Sequence, residues 1–121
     1  MKIKKVNLNE KLNTFNEHWN PKIVGDLNNQ LIKIAKLKGE FFMHKHEQED
    51  ELFYVIKGTL FIKLKDETLE LNPGEFVIIP KGIEHKPYAP EEVSVMLFEP
   101  ASTLNTGSTQ NEFTVSDLDS I

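Results

Sequence analysis

GEFFMHKHEQEDELFYVIKG, residues 39–58, and GEFVIIPKGIEHKPYA, residues 74–89, are the stretches on which the rest of the chain turns. The first holds His44, His46 and Glu51, and the second holds His85. Three imidazoles and one carboxylate make a donor set suited to a first-row divalent cation. His44 and His46 are two residues apart, so on an extended strand both side chains point to one face. Residues 47–50 read as a polar turn, after which Glu51 opens the apolar run LFYVI; a hairpin there returns Glu51 to the histidine pair. His85 must arrive from a distant strand, which a closed or nearly closed sheet arranges easily. A lone histidine on a strand is more often packed or hydrogen-bonded than a ligand, so the reading rests on the four residues together.

The flanking sequence supports an all-β chain. Short β-rich runs between residues 40 and 99 are punctuated by Lys57-Gly58, Lys65-Asp66-Glu67, Asn72-Pro73-Gly74 and Pro80-Lys81-Gly82. Pro at the second position and Gly at the third suits a type II turn from Asn72. In LFIKLK, Leu60, Ile62 and Leu64 mark a buried face, with Lys63 and Lys65 on a wet one. Regular short strands with such turns indicate a sandwich or barrel. Upstream, LIKIAKLK (31–38) reads as a strand preceded by Asn28-Asn29, a pair that tolerates the positive φ of a tight hairpin turn. Leu8, Leu12, Phe15 and Trp19 recur at helical spacing, with Asn7 or Asn9 as N-cap and Pro21 as stop, which predicts a short amphipathic helix or helical turn near 9–19. His18 lies beside that stripe and is read as a surface residue.

The two stretches resemble the motifs of the cupin family: Gly39 ahead of His44-x-His46, then Glu51 and Gly58, answered by Gly74, Pro80-x-Gly82 and His85. The resemblance covers the middle half of the chain. Gly39 sits one residue nearer the histidines than the family's usual form, and Ala89 stands where an Asn is common; neither is a metal-ligand position. The resemblance implies a double-stranded β-helix, or jelly-roll barrel, with metal ligands His44, His46, Glu51 and His85. With the short N-terminal helical segment, this gives one domain over 1–121, its barrel at about 22–99 and a C-terminal tail at 100–121. Within the tail, EPASTLNTG is similar to a segment of small bacterial cupins of the mannose-6-phosphate-isomerase-like group. The tail is expected to lie as a strap over the barrel or a partner.

Composition narrows the partners. The chain has 121 residues, no cysteine and a net charge of −5. Neither disulfides nor thiolate zinc sites are available. The acidic balance, without a basic cluster, argues against nucleic acid. All 14 basic residues are lysines, so no bidentate guanidinium clamp exists for an anionic substrate. No apolar run approaches the ~18 residues of a membrane span, and the N-terminus lacks an apolar signal core. A soluble, cytoplasmic chain without a membrane partner is expected. LFYVI (52–56) and FVIIP (76–80) are apolar on both faces and need cover on both sides. A homodimer using the outer faces is expected, with cover by the chain's own ends as the alternative.

Four ligands leave two positions of an octahedron for water, dioxygen or a small-molecule ligand. Fe, Mn, Ni and Zn all tolerate this set, and it does not choose among them. Phe42 shares strand parity with the histidine pair, and Phe53 and Val55 share parity with Glu51, so these three are candidates for an apolar pocket wall. Tyr88, three residues past His85, is a candidate for the pocket mouth. Glu47, Glu49, Asp50 and Glu84 are read as a solvated acidic rim, and no dedicated general base stands out. The function expected is a metal-dependent enzyme of dioxygenase or isomerase type acting on a small oxygenated metabolite. The alternative is a non-enzymatic module that binds or senses a small ligand over the metal.

Overall fold

The computed structural model describes residues 2–121. One helix, α1 (Leu8–Leu12), precedes seven strands: β1 (Lys22–Leu27), β2 (Gln30–Glu40), β3 (Glu51–Lys57), β4 (Leu60–Lys63), β5 (Thr68–Leu71), β6 (Phe76–Ile79) and β7 (Lys86–Pro100). All strand pairings are antiparallel, in the order β1-β2-β7-β3-β6, with β4 joined to both β7 and β5. β7 is the hinge of the architecture. Its second half pairs with β3 and its first residues pair with β4, while β2 runs along nearly its whole length. One long strand thereby carries both branches of a single seven-stranded sheet, which closes as a jelly-roll barrel.

Parity fills the interior. Ala35 and Leu37 on β2, Phe53 and Val55 on β3, Leu60 and Ile62 on β4, and Val93, Val95 and Leu97 on β7 form one buried cluster. Full burial of each large side chain contributes about 1.5–3 kcal/mol. The turns match their sequences. Asn28 and Asn29 both adopt positive φ (50° and 66°), the requirement of a two-residue primed hairpin turn. At Asn72-Pro73-Gly74 the Glu75 N–H donates to the Asn72 carbonyl at 3.0 Å.

Of the helix or helical turn expected near 9–19, the structure forms a single short helix at Leu8–Leu12. Asn7 caps it, its side chain accepting from Glu10 N–H at 3.0 Å, and Asn13 ends it. The chain then opens so that Phe15 drops beside Leu12 onto Ile34, and Trp19 turns away at a φ of 60°. The apolar spacing therefore reports a docked segment only partly helical. This segment covers part of the outer sheet face, packing against Ile34, Ile56 and Met96. Phe76 and Ile78 on β6 remain 60% and 53% exposed, so the chain's own end covers only one side of that face. Among the described residues, no helix is long and apolar enough to cross a membrane.

Candidate metal centre

The histidine pair does not lie on a regular strand. Residues 41–50 are irregular, and His44 forms a single antiparallel bridge with His85. In it, His44 N–H donates to the His85 carbonyl at 3.0 Å and His85 N–H returns the bond at 2.8 Å. This places the two rings 4.3 Å apart. The turn of residues 80–83 is tied to the same segment: Gly82, at a φ of 82°, donates its N–H to the His46 carbonyl at 2.8 Å. A positive φ is open to glycine at little cost, so PKG fixes both the turn and the register of His46. β3 begins at Glu51, and its inward parity carries that carboxylate to the rings.

The structure brings His44, His46, Glu51 and His85 together, all buried, with one donor atom from each within 4.8 Å of the others. Glu51 Oε1 lies 3.2 Å from His46 Nε2 and 3.3 Å from His85 Nε2. Donor atoms each about 2.0–2.2 Å from one shared cation would lie no more than about 4.4 Å apart, so the cluster would hold one after a modest contraction. Both nitrogens of His46, Glu51 Oε1 and His85 Nε2 are buried without a hydrogen-bond partner. Unsatisfied buried polar atoms are rare unless they serve an ion, water or reaction. The Nδ1 atoms of His44 and His85 are instead engaged at 3.0 Å with the carbonyls of Phe42 and Ile83. Donation to those carbonyls orients the rings and leaves Nε2 facing the cluster. Burial, and then the neighbouring His85, lower the His44 pKa to about 4, so its ring is neutral at pH 7. This cluster could hold a metal ion.

A cavity of about 40 Å³ adjoins it, with Trp19, Pro21, Phe41, Phe53 and Leu97 on its walls and His44, Glu51, Glu99 and Asn105 as its polar lining. Phe53 faces the His85 ring at 6.0 Å. Val55 is fully buried in the core and is absent from the lining. Phe42 stands 5.3 Å from His44 but turns to Phe41 and Phe113. Tyr88 stacks on Phe61 at 5.2 Å and does not line this cavity. His18 lies at the surface with Glu92, 2.7 Å away. The acidic rim is more engaged than a solvated turn: Asp50 accepts from Lys81 N–H at 2.8 Å and Glu49 from Ser102 Oγ at 2.9 Å.

Two charged residues escaped the sequence reading. Lys33 and Glu99 are 1% and 2% exposed, and Lys33 Nζ donates to Glu99 Oε1 at 2.7 Å. Their signal was parity: Glu99 continues Val93, Val95 and Leu97 on β7, and Lys33 precedes Ala35 and Leu37 on β2. Burial opposes the charge on Glu51, but the Glu99 carboxyl and the His46 and His85 rings outweigh it and hold Glu51 well below the usual carboxylate range. Glu99, desolvated and beside that charge, is pushed up despite Lys33.

The tail closes over this end. Ser108 N–H donates to the Lys45 carbonyl at 3.2 Å, and Phe113 packs 5.1 Å from Phe41. Gly107, at a φ of 65°, crosses so close to Lys45 that a Cβ would sit on its carbonyl oxygen. Beyond it, the chain docks on β1 through Ile23 N–H to the Asp119 carbonyl at 2.8 Å.

A family model described as a cupin domain matches residues 32–99. Uncharacterized protein YdbB of Bacillus subtilis is 38% identical over 64 residues, 52% of this chain and 57% of that protein. Uncharacterized protein MJ1618 of Methanocaldococcus jannaschii is 28% identical over 53 residues, 44% of this chain and 42% of that protein. The chain thus spans about half the length of these relatives. Among solved structures, a cupin-2 domain containing protein from Shewanella frigidimarina matches with a TM-score of 0.78 at 44% identity, over 78% of this chain and 93% of that one.

Proposed function

We propose that this chain, which belongs to the cupin domain family, binds one divalent cation through His44, His46, Glu51 and His85. On this reading it acts as a metal-dependent enzyme of dioxygenase or isomerase type on a small oxygenated metabolite. The observation that supports the reading is the convergence of four buried donor atoms, several without partners, at the end of an apolar cavity. Bound there, a divalent cation would polarise a carbonyl or lower the pKa of a coordinated water. The chain's own residues do the rest. The Phe42 and Ile83 carbonyls hold two rings in orientation, Phe53 and Leu97 shape the wall, and the strap at Gly107 and Phe113 excludes bulk water from the His44 side.

The test is turnover by the metal-loaded chain of a panel of sugars, sugar phosphates, keto acids and enols, with and without oxygen. Activity that needs the metal and disappears in His85→Ala supports the enzyme. Full metal occupancy without turnover of any member refutes it and leaves the binding or sensing module. The reading includes a homodimer through the β6 face, motivated by the exposure of Phe76 and Ile78. A monomer by light scattering at micromolar concentration would contradict that part.

A further inference from the structure

The cavity beside the metal cluster has four polar lining residues, and three are committed. His44 and Glu51 belong to the cluster. Asn105 spends its side-chain amide on the strap, donating to the Phe113 carbonyl at 2.8 Å and accepting from Val115 N–H at 2.9 Å. Glu99 remains. Lys33 holds its Oε1 at 2.7 Å, while its Oε2 is buried without a hydrogen-bond partner among the described residues, in a carboxyl group that neighbours only the Glu51 carboxyl besides. Leaving a buried carboxyl oxygen unpaired is costly, and Lys33 fixes this one against the cavity wall rather than letting it turn to solvent.

We propose that Glu99, anchored by Lys33, is the ligand-anchoring group of this cavity, which takes a small molecule of apolar body through a hydroxyl hydrogen-bonded to Glu99 Oε2. The proposal rests on the metal-site reading and names the chemistry its ligand must carry. A hydroxyl both donates and accepts, so it pairs with a carboxyl oxygen in either protonation state. Lys33 Nζ is already engaged with Glu99, so the chain's own residues offer an anionic group no further cation at this end of the cavity. Size agrees: about 40 Å³, at roughly 10–15 Å³ per water centre, holds about three waters, the bulk of a molecule of three or four carbons.

The experiment compares hydroxyacetone with acetone, a pair differing by one hydroxyl, on the zinc-loaded chain. Binding is read from amide chemical shifts, and zinc per chain is measured on every sample. The expected result is saturable binding of hydroxyacetone roughly three- to tenfold tighter than acetone, the usual net worth of one hydrogen bond. The preference should persist in Glu99→Gln. In Lys33→Met/Glu99→Leu, which replaces the buried pair by apolar groups and so avoids a stranded charge, it should vanish while zinc content stays at the wild-type value. Equal binding of the two probes to the wild type, absence of binding by either, or an undiminished preference in the double variant overturns the proposal. Loss of zinc from the double variant in step with the probe also overturns it, because the pair then serves only to position Glu51. A wild-type chain that takes up no zinc fails at the underlying metal reading, and the zinc assay identifies that failure separately.

Discussion

Removing Glu99 alone should be far more damaging than removing it together with Lys33. Lys33 is 1% exposed, and its 2.7 Å bond to Glu99 is its one ion pair among the described residues. Glu99→Leu strands that ammonium. It can stay charged, at about 3–5 kcal/mol for a broken buried pair, or shed its proton. For a lysine with a solution value near 10.4, shedding costs about 4.6 kcal/mol at pH 7 but only about 1.9 kcal/mol at pH 9. The cheaper route sets the loss, so about 3–4.6 kcal/mol is expected at pH 7. Over 121 residues, with about 2.1 cal/mol/K of unfolding entropy per residue, that is a Tm lower by roughly 12–18 °C. Lys33→Met/Glu99→Leu should stay within about 1 kcal/mol of the parent or exceed it, since apolar replacement of a buried pair is often neutral or stabilising. Urea denaturation and calorimetry of chelator-treated chain at pH 7 and pH 9 provide the assay. Equal losses in single and double variants, or a single-variant loss that does not shrink at pH 9, would refute the reasoning.

Four further outcomes follow from the same geometry. Gly107→Val forces a side chain onto the Lys45 carbonyl at positive φ; it should release the strap, seen as faster proteolysis after residue 100 with the barrel's circular dichroism retained. The metal-free chain should lose stability on acidification. The His44 pKa, lowered to about 4 from 6.5, means that the unfolded chain takes up a proton the folded one refuses. The His44 contribution therefore falls by about 1.4 kcal/mol per pH unit between pH 6.5 and 4. His44→Leu should remove that slope, and identical pH profiles would contradict it. Asn7→Ala should cost about 1 kcal/mol through the lost helix cap, measured by the urea midpoint. Phe76→Lys/Ile78→Glu should shift light-scattering mass from dimer to monomer, and an unchanged mass would exclude the β6 face.

The barrel was legible because its signals are local. Alternation in LFIKLK, the Asn-Asn and Pro-Gly turns and the two-residue step from His44 to His46 each act within a few positions. Only the first turn of the segment near 9–19 is helical, because Phe15 and Trp19 are spaced by docking onto Ile34 and Phe41, and tertiary contact imitates a helical stripe. Lys33 and Glu99 carry the inward parity of their strands, but parity alone does not show a charge to be buried until its partner, 66 residues away, is known. Tyr88 was assigned to the mouth by closeness to His85 in sequence, yet its neighbour across the ladder is Phe61. Gly107 gave no signal, since its necessity arises only where the tail crosses Lys45.

The central claim is that the four converging side chains share one cation. Metal content per chain after equilibrium dialysis with zinc or manganese, with the ion located by anomalous diffraction, tests it most directly. One ion per chain is expected, ligated by His44 and His85 through Nε2, by His46 and by the Glu51 carboxylate, and lost in His85→Ala while the β fold is kept. A chain that retains no ion, or a His85→Ala variant that retains as much as the parent, would contradict it.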